Sequence, residues 1–176
     1  MSEEKYWILK CCLLGEANVG KTSLAHRFIE NSFSNSYKAT LGVNLMKKDL
    51  KIDNDEVSAQ VWDLGGQESF RSLRRLYLEG ANGALVVYDV TNRESFEKLE
   101  DWINDFREIL GDKWPLVLIG NKADLKENMK VSKEEAQAYA DKLNMPLIIT
   151  SAKTGENVEN AFKNLIKSIL EIISLE

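Results

Sequence analysis

Between an apolar run that ends at Leu14 and an amphipathic stretch that begins at Lys21 lies Gly15-Glu16-Ala17-Asn18-Val19-Gly20-Lys21-Thr22. It fills every fixed position of G-x-x-x-x-G-K-[ST]. Glycines let backbone N–H groups wrap an anion, and a following helix aims the positive end of its dipole at the same place. Lys21 supplies a point charge. The Thr22 hydroxyl is the kind of oxygen ligand a hard cation takes. Gly15, Ala17, Asn18, Val19, Gly20, Lys21, Thr22 and Ser23 are therefore candidate ligands for a nucleotide's phosphates, with Thr22 also a candidate Mg²⁺ ligand. The plain alternative is a glycine turn followed by a chance Lys-Thr. It leaves the flanking strand and helix unexplained.

Which base such a site would take depends on Asn121-Lys122-Ala123-Asp124 and on Ser151-Ala152-Lys153, each just after an apolar run. A carboxylate only accepts hydrogen bonds, so Asp124 pairs with the N1–H and N2–H₂ donors of guanine and repels the N1 acceptor of adenine. The Lys122 stem can lie along the base plane, with Leu125 beside it. Asn121 can tie this loop to the phosphate loop and donate toward N7, and the Ala152 N–H can meet O6. An isolated N-K-x-D is a common surface turn; its pairing with Ser-Ala-Lys after the next strand makes it specific.

A third group is Asp63-Leu64-Gly65-Gly66-Gln67-Glu68. Asp63, at a strand end, can hold Mg²⁺ through water. Gly66 can offer its N–H to a γ-phosphate with no side chain in the way. Gln67 can orient an attacking water, because phosphoryl transfer depends on positioning and charge stabilisation. Gln67 and Lys21 are the candidate catalytic pair. In the polar stretch from Asn31 to Thr40, Phe33 can stack on the base, Tyr37 can cover the phosphates, and Thr40 can close onto Mg²⁺ and the γ-phosphate.

These residues need a scaffold, and the hydrophobic pattern predicts one. Strands are expected at Trp7 to Leu14, Val43 to Ile52, Val57 to Trp62, Ala84 to Tyr88, Leu116 to Gly120 and Pro146 to Thr150. A turn is expected at Asp53-Asn54-Asp55. Helices are expected at Lys21 to Glu30, Leu73 to Glu79, Ser95 to Leu110, from the Ser132 N-cap with a Glu135 capping box, and Val158 to Ile173. The order β-α-β-β-α-β-α-β-α-β-α implies an α/β fold. Its six-stranded sheet is mostly parallel with one antiparallel edge strand, and helices cover both faces. In such sheets ligands sit beyond the carboxyl ends of the strands, where the three groups fall.

The length of 176 residues suits one domain spanning the whole chain. A net charge of −5 argues against nucleic acid as a partner. Cys11 and Cys12 are neighbours on a strand, point to opposite faces, and read as small core residues. No apolar run approaches the about 20 residues of a membrane span. Residue 2 is Ser, which excludes N-myristoylation of the chain as written, and Ile172-Ile173-Ser174-Leu175-Glu176 holds no cysteine to prenylate. A cytoplasmic monomer is expected, with peripheral membrane contact only through a lipidated tail.

The chain resembles the Ras-superfamily small GTPases, and within them most the Rab family. The Rab likeness rests on Thr40-Leu41-Gly42-Val43-Asn44-Leu45, on Trp62-Asp63 with Gln67-Glu68-Ser69-Phe70-Arg71, on Tyr77-Leu78-Glu79-Gly80-Ala81 and on Tyr88-Asp89-Val90-Thr91. Where Rabs read Asp-Thr-Ala-Gly-Gln, Leu64-Gly65 resembles the Arf family instead. Asn44-Leu45 stands where Rabs tend to have Asp-Phe, and Ala17 lies near where an arginine finger would enter. The resemblance implies a P-loop nucleotide hydrolase with GTP or GDP bound, Mg²⁺ held by Thr22, Thr40 and Asp63, and two states distinguished by their loops. It also implies an activating protein, an exchange factor and effectors. Two rival functions are a GTP-binding scaffold that does not hydrolyse, and a P-loop kinase or ATPase.

Other residues read as structural. His26 is expected at the surface or half-buried. Trp102, Phe106 and Ile109 at helical spacing are expected in the core, and Trp7 and Trp114 at strand edges. Trp62, Tyr77 and Leu45 divide evenly between core and an exposed apolar partner surface.

Overall fold

A computed structural model describes residues 3–36, 39–40 and 42–176. The chain runs β1 (Tyr6–Leu14), α1 (Lys21–Glu30), β2 (Val43–Ile52), β3 (Asp55–Leu64), α2 (Arg74–Leu78), β4 (Gly83–Asp89), α3 (Arg93–Glu97), α4 (Leu99–Leu110), β5 (Leu116–Asn121), α5 (Lys133–Lys142), β6 (Leu147–Ile149) and α6 (Val158–Ser174). Short 3₁₀ turns precede α2 (Glu68–Leu73) and α5 (Lys126–Asn128). The six strands form one sheet in the order β2-β3-β1-β4-β5-β6. Only the β2–β3 pair is antiparallel; the other neighbours are parallel. This is the expected P-loop α/β architecture.

Period-two alternation along β1 builds both cores at once. Leu9, Cys11 and Leu13 face one side, with α1 and α6; Cys12 and Leu14 face the other, with Leu78, Leu99, Trp102 and Phe106. Strand β4 is buried at every residue, as an inner parallel strand must be. On the first side Phe28 of α1 stacks on Phe162 of α6, with centroids 4.1 Å apart and planes 3° from parallel. Each ring removed from water contributes about 1.5–3 kcal/mol. That contact holds α1 against α6.

Several boundaries differ from expectation. Ile52 pairs directly with Asp55, so Asp53-Asn54 alone form the hairpin turn, with Asp53 at φ 54°. The stretch expected as one helix from Ser95 starts earlier and divides at Lys98. Asn92 Oδ1 accepts from the Ser95 N–H at 3.3 Å and caps α3. Ser132 Oγ caps α5 by accepting from the Glu135 N–H at 3.1 Å. The Glu135 carboxylate is engaged by Arg93 at 2.8 and 2.7 Å, so the reciprocal half of the expected capping box gives way to a tertiary ion pair. Trp102 and Phe106 are core residues, Ile109 is partly buried, and Trp114 packs against both cores.

Candidate functional site

A cleft of about 820 Å³ opens beyond the carboxyl ends of β1, β3, β5 and β6. Ala17, Asn18, Gly20, Lys21, Thr22, Ser23, Phe33, Thr40, Gly66, Gln67, Asn121, Lys122, Asp124, Leu125, Ala152 and Lys153 line it. Gly15, Val19, Asp63 and Ser151 lie buried behind that lining. Tyr37 lies outside the described residues.

The end expected to take phosphates is built on the turn from β1 into α1. Gly20 caps the helix with φ 98° and no side-chain cap, so the first N–H groups of α1 stay free for an anion. A Cβ at Gly20 would collide with the Asn121 carboxamide, so only glycine fits there. Lys21 is 5% exposed. Its Nζ donates to the carbonyls of Gly15 at 2.8 Å and Glu16 at 2.7 Å, which leaves one of three N–H donors for a ligand. Burial pulls the Lys21 ammonium down to about 8, against the pull of Asp63 and Glu16, and the Arg74 charge pushes the same way as burial.

Three oxygens gather beside it. Thr22 Oγ1 donates to Asp63 Oδ2 at 2.5 Å and lies 2.6 Å from Thr40 Oγ1, which is 3.3 Å from the same carboxylate oxygen. Asp63 is fully buried and its Oδ1 has no hydrogen-bond partner among the described residues. Burial raises its pKa, opposed chiefly by the Thr22 hydroxyl and then by Lys21. An orphaned carboxylate oxygen next to two hydroxyls is an all-oxygen donor set, and it fits Mg²⁺, whose other ligands would be water and phosphate.

The third loop presses on the first. A Cβ at Gly66 would collide with the backbone N of Ala17 and C of Glu16, so Gly66 touches the phosphate loop directly. The Gly65 N–H donates to the Gly42 carbonyl at 2.7 Å, joining the loop after β3 to the one before β2. Gln67 follows, half-buried at the cleft wall, as the cap of the 3₁₀ turn.

At the other end, Asn121 joins three segments. Its Nδ2 donates to Val19 O at 3.0 Å; its Oδ1 accepts from Thr150 Oγ1 at 3.0 Å and from the Ala152 N–H at 3.3 Å. The tie to the phosphate loop is as expected. The Ala152 N–H, expected to face the base, makes this long bond as well. Lys122, at φ 66°, stretches across the phosphate loop, donating to Asn18 O at 2.7 Å and pairing with Asp89 at 3.0 Å. Ser151 Oγ donates to Asp124 Oδ1 at 2.7 Å and fixes that carboxylate. Phe33 is partly exposed at the same end.

Sequence reasoning missed Asp89, which closes β4 and anchors Lys122. Its place at the end of a fully buried strand was the available signal. It also missed Glu16, whose carboxylate accepts from Trp102 Nε1 at 2.9 Å. His26 is half-buried on the cleft wall, 3.5 Å from Glu30. Trp62 and Tyr77 fall between the two expectations: both are half-buried and pack against the second core, with ring centroids 6.4 Å apart, and Leu45 beside them is 52% exposed. Lys10 Nζ sits 3.8 Å over the Trp62 ring. Among the described residues no helix is long and apolar enough to cross a membrane.

Comparison with known proteins agrees with this geometry. Residues 10–171 match the Ras family. The chain is 42% identical over 178 residues to the Ypt/Rab-type GTPase YPT7 of Saccharomyces cerevisiae, covering 97% of this chain and 86% of that protein. It is 40% identical over 173 residues to the GTP-binding protein ypt3 of Schizosaccharomyces pombe, covering 98% and 81%. It is 38% identical over 172 residues to the Ras-related protein Rab-11C of Dictyostelium discoideum, covering 98% and 77%. With this sheet and these relatives, the chain belongs to the Ras family, on its Rab-like side.

Proposed function

We propose that the cleft binds GTP and GDP, and that the protein hydrolyses GTP to GDP and phosphate as a switch of the membrane-trafficking type. One juxtaposition carries the reading: the Lys21 ammonium, the Thr22–Thr40–Asp63 oxygen cluster, Gln67 and the Ser151-held Asp124 share one cleft.

The chain's own residues divide the work. The N–H groups at the start of α1 and Lys21 bind the β- and γ-phosphates and draw off the charge that develops as the terminal P–O bond breaks. Gln67 orients a water in line with that bond, and its proton passes to the phosphate. Thr22 and Thr40, with Asp63 acting through a water, would hold Mg²⁺, which would supply neutralisation of phosphate charge. Asp124 accepts from guanine N1–H and N2–H₂, and the Lys122 stem and Phe33 flank the ring.

Thr40 and Gly66 sit on loops that the γ-phosphate would hold and hydrolysis release. Leu45, Trp62 and Tyr77, beside exposed Leu73 and Leu76, are the surface we assign to effectors. Activating and exchange proteins would act at the same loops. Leu64 is buried in the second core, and we read Leu64-Gly65 as an Arf-like variation of the loop that carries Gln67. The whole chain acts as one domain and as a monomer.

Single-turnover hydrolysis of bound GTP tests this. Wild type should turn over slowly, on the order of 10⁻⁴ to 10⁻³ s⁻¹ without an activator, and Gln67→Leu about tenfold more slowly or worse. Equal, negligible rates in both would leave a GTP-binding scaffold. ATP competing on par with GTP would leave a kinase or ATPase. Asp124→Asn, which exchanges an acceptor for a donor, should shift preference toward xanthine nucleotides.

A further inference from the structure

Arg27 stands on α1, on the side of the Ser151–Lys153 loop away from the cleft lining. Its Nε donates to the Ala152 carbonyl at 2.9 Å and its Nη2 to the Lys153 carbonyl at 2.6 Å. Its Nη1 reaches Asn31, at 3.2 Å to Oδ1 and 3.4 Å to the carbonyl. Asn31 is the left-handed C-cap of α1, at φ 50°, where the loop carrying Phe33 and Thr40 begins. The arginine stem lies alongside the Gly155 turn. One planar guanidinium thus ties two segments together with a fork no lysine can match.

We propose that Arg27 is a positioning residue for recognition of the purine 6-oxo group, and for retention of the nucleotide; the inference rests on the guanine reading above. A trans peptide points its C=O and N–H in opposite directions. With the Ala152 carbonyl drawn to Arg27, the Lys153 N–H of the same peptide faces the cleft, next to the Ala152 N–H. The loop then offers donors to an oxygen at purine C6 and meets an adenine amino group donor to donor. Asp124 reads the N1 and N2 edge, while Arg27, acting through the backbone, sets the C6 edge. Because the same side chain also grips Asn31, opening the loop that begins there loosens the base loop. A single guanidinium thereby couples the phosphate-covering loop to base release.

The test is Arg27→Met and Arg27→Lys, measured with GDP, IDP and ADP. Inosine keeps the 6-oxo group and lacks the 2-amino group. Arg27→Met should release GDP about ten- to a hundredfold faster, from the loss of two charge-assisted bonds in a partly exposed site. IDP release should quicken by the same factor, leaving the GDP-to-IDP ratio fixed. The GDP-to-ADP affinity ratio should fall about fivefold or more, and Arg27→Lys should recover only part of both effects. A folded Arg27→Met protein with the wild-type GDP release rate overturns the proposal. So does a uniform loss of affinity for GDP and ADP that leaves their ratio unchanged, the mark of a merely structural role. Failure of the guanine reading looks different: wild type itself would show no preference for GDP over ADP.

Discussion

Trp102 Nε1 donates to Glu16 Oε1 at 2.9 Å, so the second residue of the phosphate loop is anchored to helix α4, 86 positions along the chain. The same indole carries the Arg74 guanidinium on its face at 3.5 Å. One ring thereby joins the phosphate loop, α4 and the helix that follows Gln67. Trp102→Phe keeps most of the packing and removes the donor. It should cost about 1 kcal/mol of stability and weaken GDP binding by about threefold to tenfold, read from denaturant midpoints and GDP dissociation. Unchanged affinity would show that Glu16 needs no anchor.

Arg74 pairs with Asp105 at 2.7 Å, with side chains 6% and 20% exposed. Removing one partner strands the other charge in a nearly dry site. Asp105→Ala should therefore cost about 2–4 kcal/mol, less than a fully buried pair because Asp105 still meets water. The double replacement Arg74→Met with Asp105→Leu should be milder than Asp105→Ala alone. Urea unfolding of the two variants beside wild type decides this.

Gly66 touches backbone atoms of Glu16 and Ala17, which cannot yield as a flexible side chain can. Gly66→Ala should push the Gln67 loop off the phosphate loop. GDP affinity should hold within about threefold, while hydrolysis of bound GTP falls about a hundredfold, near 2.7 kcal/mol of lost transition-state positioning. A fall in GDP affinity as large as the fall in rate would mean that the substitution damages the phosphate loop itself.

Burial pushes both the Cys11 and Cys12 thiols up to about 12. Native protein should resist thiol alkylation at pH 8.5 and react only as it unfolds. The linkage has a definite sign. The folded state holds these protons more tightly than the unfolded state, so each thiol's contribution is complete below about pH 9 and lost between 9 and 12. Between those limits each lowers stability by about 1.4 kcal/mol per pH unit. Cys12→Ala should make the alkaline fall shallower than wild type by one such increment.

What the sequence reveals and what it hides follow from how far apart the partners lie. Lys21, Thr22, Asp124 and Gln67 sit just past strands whose apolar runs are plain, so their convergence was legible. The sheet was legible too, because each strand's hydrophobic period is local. Strand ends were not: Gly83, Asp89 and Asn121 join their ladders by bonds to a neighbouring strand, which no local pattern encodes. Arg27 reaches carbonyls 125 and 126 residues away, and an arginine on a helix face reads as solvated until the fold closes over it. Glu135 fitted its capping box by spacing, and a longer-range arginine took its carboxylate.

The antiparallel strand β2 is the outermost of the sheet, and it carries Lys47, Lys48 and Lys51. An outer strand of ten residues leaves unpaired backbone groups that a second molecule can extend into a continuous ribbon. Lys47 pairs with Asp49 at 3.5 Å and Lys51 with Glu4 at 2.7 Å, so an approaching strand would have to strip water from charged pairs along that rim. The opposite rim, β6, has only three residues, too few to template such growth. Leu45 on β2 is 52% exposed, so the same charges that guard its rim also keep a second molecule's strand away from an apolar patch.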